Sequence, residues 1–304
     1  MNKINNLGAT AALLSGIIYG VNSIIVKIAH NEGVTTFDLL LYQFFFAFLW
    51  FGGRYLVIQK KLDNSRVHRK LIIKNPYNWI AAVTTVLTGL LYYSSIQLTD
   101  PSIASLGLFQ YPWMLFLMGI IINKETIIFK NVFSVILIWT GTILLIGSTI
   151  QSMTIAGLIY GVAAGASFAM YLFSLQKITE HPVTKVFIIT LAAILVAVFV
   201  MFKMNQLTIF TKDAFSYGLI TAILGQILTF ELTAYAAKRV SSVVMGTLTT
   251  TELPVAMILT WVIWGPIPTI IKIVGLLLML FSILWLQYEQ SKGEATRNYR
   301  NQES

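Results

Sequence analysis

Apolar residues run along this chain in long unbroken blocks, not at the three- and four-residue spacing of helices that cover a water-soluble core. Ten blocks reach or approach the roughly 20 residues a helix needs to cross a bilayer: 7–29, 37–58, 78–98, 100–122, 131–150, 155–176, 183–202, 215–237, 240–264 and 268–286. The pattern predicts an all-α integral membrane protein with ten transmembrane helices. Most connections are a few residues long, and the longest, 59–77, is too short and too charged to fold alone. Short tails, 1–6 and 289–304, flank the spans.

Composition removes several alternatives. With 57% hydrophobic and 11% charged residues, no segment is left over for a water-soluble domain. The chain has no cysteine, which excludes disulfides, thiolate metal sites and thiol catalysis; no metal site and no cofactor is expected. The first block follows a lysine as a secretory signal would, yet it is long, carries Asn22 and Lys27, and lacks a small-residue cleavage site. It is expected to stay as the first span.

Charge placement predicts orientation. With both termini cytoplasmic, 17 of the 21 basic residues fall on the inside, all but Lys27, Lys203, Lys212 and Lys272, as the positive-inside rule requires. The net charge of +9 is then accounted for by topology and anionic lipid, and no nucleic-acid partner is needed.

The chain also repeats itself. At an offset of 142, the block beginning Leu90-Leu91-Tyr92-Tyr93 meets Leu232-Thr233-Ala234-Tyr235, Leu106 meets Leu248, Gln110 meets Glu252, Pro112 meets Pro254 and Lys130 meets Lys272. At an offset of 149, Gly8 meets Gly157 and Gly16 meets Gly165. Residues 7–150 and 151–288 are thus expected to be two copies of a five-helix unit. An odd number of spans per copy forces opposite orientations, giving the inverted repeat on which many secondary transporters are built.

The paired blocks Leu90–Pro112 and Leu232–Pro254 resemble the signatures of the EamA-type transporters of the drug/metabolite transporter superfamily. Gly16 through Lys27 is similar to that family's opening helix, and Asn123-Lys124-Glu125-Thr126 to the acidic turn closing its fourth span. The second copy departs from the pattern, with Gly265-Pro266-Ile267-Pro268 in place of that turn, so Glu125 is expected to be a helix-end residue and not half of a symmetric pair. The resemblance implies a ten-helix bundle whose central cavity is lined by the first, third, fourth, sixth, eighth and ninth spans. It also implies a small metabolite as cargo, moved by alternating access.

Two carboxylates stand out within apolar blocks, Glu231 and Glu252. A charge at the middle of a membrane helix costs roughly 2.5–3.5 kcal/mol on insertion scales, so a retained acid points to function. Glu252 is expected near mid-bilayer, about twelve residues or roughly 18 Å into the ninth span. Pro254 is expected to loosen the turn before it, as Pro112 does in the fourth span. Glu231 lies nearer the cytoplasmic end of the eighth span, with Tyr235 one turn on. Either acid can bind substrate or carry a coupling proton; permanently protonated, either is interhelical glue worth about 0.6–2 kcal/mol.

Asn22, Tyr93, Gln97, Gln110, Trp113 and Tyr171 fall on spans that the resemblance places around the cavity, where aromatic rings can cradle an organic solute or simply pack. Lys27 is expected to snorkel, and Gly161 to Ser167 to form a close helix contact. His30, His68 and His181 fall in loops, so no nucleophile and base share a span, and an enzyme is not expected. The reading is a secondary transporter of an amino-acid-like, amine or drug-like solute, by export or exchange, with protons as a candidate coupling ion. Its partners are that solute and the lipid bilayer of the cell membrane, with the protein as a monomer or homodimer. A passive channel or an uptake permease is the alternative, separated from it by saturation and counterflow.

Overall fold

The structure is a computed structural model that describes residues 6–59, 75–123, 154–177, 182–203, 211–237, 248–249, 251–265, 268–282 and 284–285, with helical residues at 132–133, 136–137, 139–141 and 143–144. Outside these lie most of the fifth span, most of the 59–77 loop, the acidic turn at 124–126, part of the first half of the ninth span and the C-terminal tail.

Every regular element among the described residues is helical. In chain order they are α1 (Asn6–Asn31), α2 (Thr36–Gln59), α3 (Pro76–Leu98), α4 (Pro101–Leu108), α5 (Tyr111–Asn123), α6 (Ile155–Lys177), α7 (Pro182–Lys203), α8 (Lys212–Thr221), a π-helical segment (Ala222–Leu228), α9 (Thr229–Ala237), α10 (Glu252–Trp264) and α11 (Ile270–Ser282). Among the described residues five stretches are long and apolar enough to span a membrane: Leu7–Asn31, Thr36–Val57, Pro76–Leu98, Ile155–Ser174 and Lys212–Thr233. Val186–Val200, α10 and α11 are shorter apolar helices. Large aliphatic side chains such as Ile270, Val262 and Ile155 face outward, as the surface of a protein solvated by lipid should.

Local signals set the helix ends. Asn75 caps α3 by accepting from the Tyr77 N–H at 3.1 Å, and Pro76 takes the first position, where no backbone donor is needed. Pro101 holds Asp100 extended, so α3 stops at Leu98 and α4 starts two residues after Thr99. Gly33, at φ +84°, lets α1 turn into α2. Thr211 caps α8 by accepting from the Ala214 N–H.

The described helices fall into two compact units that interleave along the chain. One comprises residues 1–21, 119–153 and 228–304; the other comprises 22–118 and 154–227. Each draws on both sequence repeats. In the second unit α6 packs most extensively on α3 and α4, and α2 packs on α7 and α8. The expected small-residue contact is present there: a Cβ on Gly161 would lie 3.2 Å from Gly107 Cα, and one on Gly107 would meet Gly161 Cα at 2.6 Å. Where lipid tails are as apolar as leucine, such close backbone approach is a main source of helix association.

Three spans differ from expectation. The fourth is broken at Phe109–Gln110 into α4 and α5. The ninth turns at Thr251, which makes Glu252 the first residue of α10 and not a mid-helix residue. Both breaks have one cause: a proline in the first turn of the following helix, Pro112 at the second position of α5 or Pro254 at the third of α10, has no N–H with which to continue the helix before it. The eighth span is helical throughout but widens into the seven-residue π segment, for which the sequence offers no proline.

Candidate functional site

In the unit formed by 22–118 and 154–227, three polar side chains from three helices meet in an otherwise apolar interior. Asn22 on α1, Gln43 on α2 and Tyr93 on α3 are 0%, 3% and 2% exposed. Asn22 Nδ2 donates to the Tyr93 hydroxyl at 3.3 Å, and that hydroxyl donates to Gln43 Oε1. The π segment lies beside this chain: a Cβ on Gly225 would come within 2.9 Å of Asn22 Nδ2 and 3.1 Å of its Oδ1. A side chain at this position would have to displace the Asn22 amide. The next residue, Gln226, is buried, and Gln226 Oε1 and Asn22 Oδ1 find no hydrogen-bond partner among the described residues.

The polar end of α3 is tied to α1 just beyond. Lys27 does not snorkel; its Nζ donates to Ile96 O at 3.0 Å and Thr99 O at 2.6 Å, closing the C-terminus of α3. His30 belongs to the last turn of α1 and not to a loop, and its ring nitrogens lie 2.9 Å from Val34 O and 3.1 Å from Tyr93 O. The helix extends past the apolar block, which ended at Ala29.

Gln110 fills the break in the fourth span. Its Nε2 donates to Leu106 O and its Oε1 accepts from the Trp113 indole N–H, each at 3.1 Å. Tyr171 on α6 is buried and stacks on Phe168 at 5.8 Å, which meets Tyr111 edge-on at 5.0 Å. Gln97 is exposed on α3 and stands apart from the Asn22–Tyr93–Gln43 chain. Pro112 occupies the second position of α5.

In the other unit, Glu252 is 8% exposed at the start of α10, where first-turn N–H groups have no helical acceptor. Thr251 Oγ1 lies 2.8 Å from Leu248 O and 3.3 Å from Leu13 O of α1, tying the turn to the first span. Glu231 is half-buried on α9, and Tyr235, one turn on, is 39% exposed. Pro254 is half-buried.

The two breaks share a further feature that spacing alone could not supply. A Cβ on Gly16 would lie 2.6 Å from Thr249 O, and one on Gly165 would lie 2.9 Å from Gly107 O. Gly16 and Gly165 correspond at the offset of 149, and Gly107 and Thr249 at the offset of 142. In each unit, then, the opening helix of one repeat lays a glycine against the broken helix of the other. Among the described residues no three His, Asp or Glu side chains gather as metal ligands.

A family model described as the EamA-like transporter family matches residues 6–147 and, separately, residues 155–288. The fold is similar to a solved protein described only as "Crystal structure of protein", with a TM-score of 0.60 and 16% identity over 97% of this chain and 99% of that one. No curated protein sequence matches the chain.

Proposed function

The chain belongs to the EamA-like transporter family, and on that premise we propose that it is a secondary transporter moving a small organic solute by alternating access. As a multi-pass membrane protein of a transporter family it needs no catalytic centre. The observation that carries the mechanism is the matched pair of contacts, Gly16 on the Thr249 carbonyl and Gly165 on the Gly107 carbonyl. A contact of the same kind within each unit, on corresponding residues of the repeats 7–150 and 151–288, gives each unit its own candidate gate.

The Asn22–Tyr93–Gln43 chain is the core of the solute site, with Gln97, Gln110, Trp113 and Tyr171 as further candidates in the same unit and Tyr235 as a candidate in the other. Glu252 carries the coupling proton; Glu231, half-buried on α9, has the lesser part. The protein sits in the cell membrane with both termini cytoplasmic and exports or exchanges its solute, as a monomer or homodimer. Proteoliposomes holding the purified protein, assayed with labelled amino acids and amines one at a time, test this. Saturable uptake accelerated by unlabelled solute on the opposite side is expected. Flux that rises linearly with concentration and shows no such acceleration would identify a channel instead.

A further inference from the structure

We propose that Asn22 Oδ1 and Gln226 Oε1 form a subsite for the nitrogen of a primary amine, assembled by the π segment of the eighth span; the inference rests on the transporter reading above. The direction of the hydrogen-bond chain fixes the polarity of the site. Because the Tyr93 hydroxyl spends its one hydrogen on Gln43 Oε1, it can only accept from Asn22, which turns Nδ2 towards the ring and leaves Oδ1 free. Gln226 offers a second carbonyl oxygen of the same kind, on the residue next to the glycine that touches the Asn22 amide. Gln226 follows directly on Gly225, so its Cα lies about 3.8 Å from the backbone position that abuts the Asn22 amide.

Two buried acceptors without donors are costly, and in a membrane interior no bulk water relieves them. Such a pair selects for a group with at least two N–H bonds. A hydroxyl brings one hydrogen and a carboxylate brings none, whereas a primary amine brings two, or three when protonated. The same protein already solves this problem once: the Lys27 ammonium is held by two carbonyl oxygens, Ile96 O and Thr99 O, at 3.0 and 2.6 Å. The π geometry serves the site directly. Seven residues at the wider pitch lay Gly225 against Asn22 and bury Gln226, the next residue, and π turns of this kind recur at functional sites.

The test uses the purified full-length protein and two matched probe series, built on butyl and 2-phenylethyl skeletons, each as amine, alcohol and carboxylate. Both amines are expected to raise Tm with dose, the alcohols weakly and the carboxylates not at all. In Gln226→Met, which keeps the side-chain volume but removes the acceptor, the apparent Kd for the amines should rise about tenfold to a hundredfold, while Gln226→Glu retains amine binding. Gln226 holds no hydrogen bond in the network, so this variant leaves the Asn22–Tyr93–Gln43 chain intact. Alcohols or carboxylates that match the amines, an unchanged amine response in Gln226→Met, or no amine response in the native protein would each overturn the subsite. Counterflow of other solutes separates the two levels: if it persists, only the amine subsite falls, and if no solute exchanges, the transporter reading falls with it.

Discussion

Tyr93 shows how much a single polar atom does in a lipid-solvated protein. Its hydroxyl is the middle link between Asn22 and Gln43, so Tyr93→Phe strips a partner from two buried amides at once. Interhelical hydrogen bonds in membranes contribute only about 0.6–2 kcal/mol, so the variant should fold with a modestly lower Tm and lose most of its transport. A large fall in Tm with transport per folded molecule unchanged would make the network structural. Glu252 is the second residue-scale test. Glu252→Gln keeps shape and hydrogen-bonding capacity but cannot exchange a proton, so accumulation driven by a pH gradient should vanish while solute exchange survives; Glu231→Gln should do less. Full gradient-driven accumulation in Glu252→Gln would assign that side chain to interhelical packing, and loss of exchange as well would make it a substrate ligand. Asn22, Tyr93 and Glu252 were legible because polar side chains are rare in such blocks. Gln43 and Gln226 were equally rare, and what hid them was geometry: nothing in the sequence says that the eighth span widens at Ala222 or that α2 turns Gln43 towards Tyr93.

At the scale of elements, the sequence-derived spans recover the long helices because a run of about 20 apolar residues has few other stable homes. Their interruptions were less legible. Pro112 and Pro254 announced that the fourth and ninth spans are perturbed, but a proline disturbs the carbonyl four residues before it, so the breaks fall upstream, at Phe109–Gln110 and Thr251. The π segment had no such marker. Deleting one residue between Ala222 and Leu228 should restore an α-helical register and turn Gly225 off the Asn22 amide, so transport should be lost although the protein still inserts and elutes as a single species. Retained transport in that deletion would show that the π turn is dispensable. Glycine contacts at the breaks are tight enough to be tested by one methyl: overpacking costs roughly 1–3 kcal/mol where backbone cannot yield, and both Gly16 and Gly165 face carbonyl oxygens.

For the whole molecule, topology and mechanism are separate claims. The distribution of basic residues predicts the 59–77 loop inside and residues 203–214 outside, and since both lie largely beyond the described residues the check is chemical: cysteines at Ser65 and Thr208 of this cysteine-free chain should label from opposite faces. Labelling of both from outside by an impermeant reagent would remove the proposed arrangement of spans. The repeat was visible in sequence as two offsets, 142 and 149; that each unit joins the opening helix of one repeat to the broken helix of the other was not, because pairwise offsets carry no information on which helices touch. Alternating access rests on that interleaving, and one measurement addresses it without knowledge of the solute. A single cysteine at Asn22, labelled by an impermeant maleimide in right-side-out and inside-out vesicles, reports which face reaches the site. Combined with Asn22→Cys, Gly16→Ala and Gly165→Ala should shift labelling in opposite directions, each raising access from one face and lowering it from the other. Equal labelling from both faces in every variant, or a shift in the same direction for both glycines, would contradict alternating access through these two contacts.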